Sequence, residues 1–254
     1  MGQTLGFRSL ASWFLGYPEV ALADSKHALE HAREIGQAGT LMFILQWACI
    51  TEILCGNYAS ADALSNELVT FAGQKGSPFW EAIGVMVRGC ILALAGRATD
   101  AAQVITSGLT AYRSMGSTLM VPFYSSCLAR AHAGLGQLDD AWRCIGEATT
   151  AVDTAREKWF EAEVHRTAGQ IALKSSEPNV AKAQAYFERA QTIARAQKAR
   201  SWELRAAMSM ARLWRDHGKR DQAHDLLAPV YGWFTEGFDT RDLKEAKAFL
   251  DDLA

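Results

Sequence analysis

Small and large apolar residues alternate along this chain in a register that repeats every forty residues. Gly-containing turns fall at Gly16, Gly56, Gly96 and Gly136, and each is followed at a fixed offset by Ala21, Ala61, Ala101 or Ala141. The alanine series continues at Ala183 and Ala223. Upstream of each turn stands another small residue: Ser9, Cys49, Gly89, Ala129, Gly169 and Ala211. The two series are twelve positions apart in every unit except the fifth, where the turn Ser175-Ser176-Glu177-Pro178-Asn179 adds two residues. Helical hairpins account for the pattern. A small residue on the first helix and an Ala on the second let two backbones approach where they cross, and Gly ends the first helix in the left-handed conformation at little steric cost. Pro18 and Pro178, just beyond turns, suit helix starts, where a missing N–H is tolerated. Large apolar residues flank the crossings one helical turn apart, as at Ala183, Phe187 and Ala190.

The reading is a single all-α repeat domain over 1–254, with six two-helix units at roughly 1–37, 38–77, 78–117, 118–157, 158–199 and 200–238. A cap at 239–254 begins with Asp239 and Thr240. Its Arg241, Asp242, Lys244, Glu245, Lys247, Asp251 and Asp252 predict a wet outer face, as the end of a solenoid requires.

Composition agrees with helix: Ala is the commonest residue and only 5 are Pro. A formal charge of -2 argues against a dedicated nucleic-acid binder. The longest apolar segment, Leu41 to Cys55, is interrupted by Gln46, Thr51 and Glu52, so no membrane span is expected. The N-terminus has neither the basic region of a signal peptide nor a myristoylation pattern, Gly6 standing where Ser or Thr is needed. The five cysteines form no CxxC pair and read as buried thiols of a reducing cytoplasm. No phosphate loop, GxGxxG, HExxH or GxSxG is present. No catalytic residue, cofactor or metal is therefore expected, and the chain reads as a non-enzyme.

A small residue, twelve positions, then Ala-x3-aromatic-x2-Ala resembles the tetratricopeptide repeat. The longer period is similar to the long-helix superhelical domains of bacterial signal-transduction ATPases. WFLGYPEVAL, KWFEAEVHRTAGQIAL and the segment from SWELRAAMSMARLWRDHGKR to the end resemble the C-terminal helical region of bacterial proteins that carry an adenylate/guanylate-cyclase-type domain and a predicted ATPase ahead of it. The resemblance covers most of the chain and is densest after Lys158. It implies a right-handed α-α superhelix acting as a cytoplasmic sensor or regulatory scaffold, with a protein partner such as an upstream cyclase/ATPase domain. The cyclase carboxylates and the ATPase phosphate loop lie upstream in such proteins, so no catalytic residue carries over.

Charge is unevenly spread. Residues 1–135 hold only 8 of the 26 Lys and Arg and 9 of the 28 Asp and Glu. The opening helix is apolar on more than one face, and Phe7, Leu10, Trp13 and Phe14 mark a docking end for an upstream domain, another repeat or a second copy of the chain, the alternative being simple burial beneath the second unit. Between Glu177 and Arg220 the balance turns basic. A solvated face with i,i+4 pairs would explain that. The sharper reading projects first-helix positions onto a concave surface that grades from apolar (Leu10, Trp13, Phe43, Gln46, Ile50, Ile53, Ile83, Met86, Cys90) to basic. There Arg130, Arg166, Gln170, Arg205, Arg212 and Arg215 would receive an acidic peptide segment or another anion, because arginine forks match carboxylate and phosphate.

Other constellations read as structural. Asp24, His27, His31 and Glu34 lie in one helical row, which cannot surround a metal ion tetrahedrally. His217 and His224 sit among turn and cap residues, and His132 and His165 read as hydrogen-bonded packing residues. Trp80, Trp159 and Trp202 recur at first-helix entries, which says packing rather than a stacking platform for nucleic acid. Competing readings are a self-associating structural module (a homodimer through the N-terminal end) and an enzyme using the Arg/His-lined groove.

Overall fold

The computed structural model describes residues 2–175 and 177–253, so Ser176 of the fifth turn lies outside the described residues. The described residues form thirteen α-helices and one 3-10 turn, with no strand. The helices are α1 Gly2–Phe14, α2 Pro18–Ile35, α3 Ala38–Cys55, α4 Tyr58–Gln74, α5 Pro78–Leu94, α6 Ala98–Ser114, α7 Val121–Gly134, α8 Leu138–Thr154, α9 Glu161–Ala172, α10 Val180–Ala196, α11 Arg200–Asp216, α12 Arg220–Tyr231 and α13 Arg241–Leu253. The 3-10 turn Lys158–Phe160 leads into α9. The all-α superhelix expected from the periodicity is the fold.

The crossings have the expected physical form. Ala21, Ala61, Ala101, Ala141, Ala183 and Ala223 are all fully buried, and so are their partners Ser9, Cys49, Ala129 and Ala211. Where the partner is Gly, no side chain would fit. A Cβ at Gly89 would stand 2.5 Å from Ile105, and one at Gly169 would stand 2.4 Å from the ring of Phe187. These contacts order the molecule into two layers. Odd-numbered helices α1 to α11 touch their odd neighbours and form an inner wall, while α2, α4, α6, α8 and α10 each pack between two of them on the outside and α12 packs between α11 and α13. Pro18 is the first residue of α2, and Asn179 caps α10 by accepting from Lys182 N at 2.9 Å.

α3 is apolar nearly all round. Its 18 residues have a mean hydropathy of 1.6, so by length and composition alone it could cross a membrane, contrary to the expectation from Gln46, Thr51 and Glu52. It is 67% buried here, between α1, α2, α4 and α5. Its buried Thr51 donates to Trp47 O at 3.1 Å and pairs with Ser9 Oγ at 3.1 Å.

The inner wall closes on itself. α1 packs against α11, where Trp13 and Trp202 meet edge to face with ring centroids 4.7 Å apart. Ser201 Oγ donates to Trp13 O at 2.5 Å. Beyond the inner wall the seam continues: Glu236 accepts from the free N–H groups of Glu19 and Val20 at the start of α2, while Glu19 accepts from Gly237 N at 2.7 Å. Gly16 at φ +92° sits against Trp233, where a Cβ would stand 2.5 Å from the indole.

Closure covers part of the apolar first helix. Leu10 and Trp13 are buried and Phe14 is half-buried against Trp159 and Trp202, so the cover is another repeat of the same chain. Phe7, at 53% exposure, is what this end leaves open. The cap helix buries Leu243, Ala246, Phe249 and Leu253 and keeps Lys244, Lys247, Asp251 and Asp252 wet as expected. At its start Asp242 is largely covered by Arg205 of α11, while the partly exposed Arg241 and Glu245 also reach Tyr58 of α4 and Arg212 of α11.

Candidate functional site

The first helices bring together side chains far apart in sequence around a concave cavity of about 180 Å³. Its walls come from α3 (Ile53), α4 (Tyr58), α5 (Leu94), α7 (Arg130), α9 (Glu163, Arg166, Gln170), α11 (Arg205, Met208, Arg212) and α13 (Arg241, Asp242, Glu245). Five guanidinium groups and three carboxylates thus face one space, a surplus of two positive charges.

Helical spacing explains the placement. Glu163, Arg166 and Gln170 stand at i, i+3 and i+7 on one stripe of α9, and Arg205, Met208 and Arg212 repeat that spacing on α11. Gly169 and Ala211, about a quarter-turn round each helix from these stripes, press each helix onto its outer partner and leave the stripes facing inward.

The cations divide by how they are held. Arg166, buried, grips Glu163 with Nη2 at 2.5 Å and Nε at 2.7 Å, and its Nη1 donates to Ser209 Oγ at 3.1 Å. Arg205 donates to Asp242 at 2.6 Å and to Leu54 O at 2.7 Å, while its guanidinium lies 5.0 Å over Trp13 and 5.1 Å over Trp202. It thereby joins α11, α13, α3 and α1 in one knot. Arg241 donates to Glu245 at 2.7 Å and covers Tyr58.

Arg130 and Arg212 are second partners of carboxylates already taken. Arg130 reaches Glu163 only at 3.4 Å, and Arg212 reaches Glu245 at 3.1 Å. Gln170 makes no side-chain hydrogen bond among the described residues, although it lines the same space. Burial would push the Glu163 carboxyl up, but Arg166, Arg205 and Arg130 together hold it below the usual carboxylate range. Burial and repulsion from Arg166 hold Arg130 below the usual guanidinium range, whereas Arg205 stands above it because Asp242 and Glu163 outweigh its burial.

Of the six residues expected on the concave surface, Arg130, Arg166, Gln170, Arg205 and Arg212 line this cavity. Arg215 does not. It lies over Phe249 and pairs with Asp216 and Asp252, on the outer side of the α11–α13 contact. Tyr58, Arg241, Asp242 and Glu245 were missed. The signal that could have found them is complementarity, since Asp242, Glu245 and Asp252 recur at helical spacing with the right charge for Arg205, Arg212 and Arg215.

The remaining candidates are otherwise engaged. Asp24 is buried against Arg8 at 2.5 Å, His217 donates to Leu213 O at 2.8 Å, and His132 pairs with Gln137 at 2.7 Å. Among the described residues no three His, Cys, Asp or Glu side chains gather as metal ligands would. All five cysteines are buried, and burial pushes the Cys144 thiol up to about 11, away from reactivity.

No family model matches the chain, and no curated protein does. Solved structures share the fold. The apo form of RapI superposes with a TM-score of 0.66 at 12% identity, covering 99% of this chain and 84% of that one. BtubC from P. vanneervenii gives 0.58 at 17% identity, covering 92% of each. A signal-transduction ATPase with numerous domains and a tetratricopeptide repeat sensor, from Pyrococcus horikoshii, gives 0.51 at 15% identity, covering 99% of this chain and 38% of that one. The fold is thus that of tetratricopeptide-like helical repeats.

Proposed function

We propose that this chain is a non-catalytic binding module whose concave cavity receives an anionic ligand or an acidic segment of a protein partner. The observation that carries the reading is the surplus of two guanidinium groups facing one cavity, with Arg130 reaching Glu163 only at 3.4 Å and Arg212 sharing Glu245 with Arg241. In a partly desolvated space such a surplus favours an incoming anion, and guanidinium forks give it a defined orientation. The cavity lies where elements from both ends of the chain meet, so an occupant there bears on the closure of the superhelix. An attached domain could read that change, in line with a regulatory or sensor role in a cytoplasmic bacterial signalling protein of the cyclase/ATPase type. The repeat fold shared with the signal-transduction ATPase that carries a tetratricopeptide repeat sensor supports the regulatory part of this reading.

The test is fluorescence anisotropy with a labelled decapeptide bearing Glu at alternate positions. Binding should be saturable and should weaken by tenfold or more in the Arg130→Gln/Arg212→Gln double variant. Binding that survives the double variant at moderate salt contradicts the reading. Arg205 is a poor choice for this test, because its replacement would also cut the knot between α11, α13 and α3.

Self-association is a second reading, favoured by one observation: exposed Phe7 packs edge-on against Phe43 and tilted against Trp47 in an apolar patch. Sedimentation at several concentrations separates it, since Phe7→Ser would abolish a dimer formed there.

A further inference from the structure

The cavity has a floor and an exit, and both bear on what occupies it. Beneath Arg130, Glu163 and Arg205 it continues into a pocket of about 20 Å³ lined by Ser126, Thr167, Phe123, Phe160 and Trp202. Ser126 and Thr167 are 3% and 2% exposed, and neither hydroxyl has a hydrogen-bond partner among the described residues. Buried hydroxyls are normally satisfied, and an orphaned pair facing one small space marks a place for an acceptor. They stand one turn from Arg130 and Glu163 on α7 and α9. At the opposite end, Gln170 and Arg212 are shared with a groove of about 530 Å³ lined by Leu173, Pro178, Val180, Phe187 and Leu213.

Arg130 thus stands with the Ser126 and Thr167 hydroxyls at the floor of the cavity, Arg212 and Gln170 stand at its other end, and an apolar channel leads away past Gln170. A single carboxylate has two oxygens and one charge, which would leave a surplus cation uncompensated and several donors unused. A phosphate group carries close to two charges at neutral pH and three strong acceptor oxygens.

We infer that the cavity is a site for a phosphate monoester on an apolar body, its phosphate between Arg130 and Arg212 over the Ser126 and Thr167 hydroxyls and its body in the groove past Gln170. This deepens the proposed function by naming the ligand class, and it rests on the cavity being a ligand site at all. Two neighbours are expected to remain in place when the site is altered: Glu163 keeps Arg166 when Arg130 is replaced, and Glu245 keeps Arg241 when Arg212 is replaced.

The experiment is calorimetric titration of the full chain with phenyl phosphate, inorganic phosphate and phenylacetate at pH 8 and pH 5. Arg130→Gln, Arg212→Gln and the exposed control Arg97→Gln are titrated alongside, with melting curves to check folding. Phenyl phosphate should bind at least tenfold more tightly than either other probe at pH 8. It should weaken severalfold at pH 5, where the second phosphate proton returns (pKa about 6). Each of Arg130→Gln and Arg212→Gln should weaken it tenfold or more, and Arg97→Gln should not. Equal binding of phenylacetate, or indifference to either arginine, overturns the inference. If phenyl phosphate fails while the Glu decapeptide binds through Arg130 and Arg212, the ligand class falls and the proposed function stands; if neither binds, both fall.

Discussion

Trp13 and Trp202 lie 189 positions apart in sequence and meet edge to face at 4.7 Å, both almost fully buried. This contact joins the first repeat to the last, and Arg205 lies over both rings while tied to Asp242 and Leu54. Closure of the superhelix and assembly of the cavity thus share one element. Trp13→Ala should lower unfolding free energy by about 3–5 kcal/mol, the usual result of deleting a large buried aromatic. Urea denaturation followed by circular dichroism checks it. A loss below about 1 kcal/mol would mean that the seam between α1 and α11 adds little to stability.

The crossings give a paired test. Gly169→Ala forces a methyl group against the Phe187 ring and should destabilise by about 1–3 kcal/mol. Gly146→Ala, on the exposed side of α8 with nothing within 4 Å, should stabilise by about 0.5–1 kcal/mol through helix propensity alone. The same substitution should therefore have opposite signs at the two sites in denaturant midpoints.

Glu163 is the carboxylate on which the cavity depends. Glu163→Gln leaves Arg166 buried without its ion partner and should destabilise by about 3 kcal/mol. Arg130→Gln, which removes only the longer contact at 3.4 Å, should change stability by less than about 1 kcal/mol. Thermal melts of the two variants should separate clearly. Equal losses would mean that Arg130, too, is a structural partner of Glu163 rather than a cation left for a ligand.

A titrating group gives the fourth test. Burial first, then Arg189, holds His165 below its ordinary value of 6.5, with Glu161 and Asp153 opposing in part. The neutral ring is therefore favoured in the fold. Below pH 6.5 the unfolded chain takes up a proton that the folded chain resists, so this contribution is complete above 6.5 and declines as pH falls. Wild-type protein should lose more stability between pH 7.5 and 5.5 than His165→Gln does. Parallel pH profiles would remove His165 from the account.

The legible part of the fold was local. Gly89, Gly169 and the buried alanines report crossings within a hairpin, where spacing along the chain fixes spacing in space. Closure was not legible, because it depends on how small rotations between successive repeats add up, and no residue near Trp13 encodes where α11 arrives. The site divides in the same way. Arg130, Arg166, Gln170, Arg205 and Arg212 follow from the inward stripe of the first helices, which periodicity marks. Tyr58 belongs to a second helix and Asp242 and Glu245 to the cap, so they enter the cavity only through the closed superhelix. Arg215 shares the spacing of Arg212 but lies one turn farther along α11, where Asp252 and Phe249 already claim it.

The central claim is that Arg130 and Arg212 are the cations left for an incoming anion. It is tested most directly by following the arginine Nε–Hε resonances of the full chain by NMR during titration with phenyl phosphate or the Glu decapeptide. The account expects saturable shifts at Arg130 and Arg212, with the exposed Arg33 and Arg97 unmoved. Shifts spread over exposed arginines, with Arg130 and Arg212 silent, would contradict it.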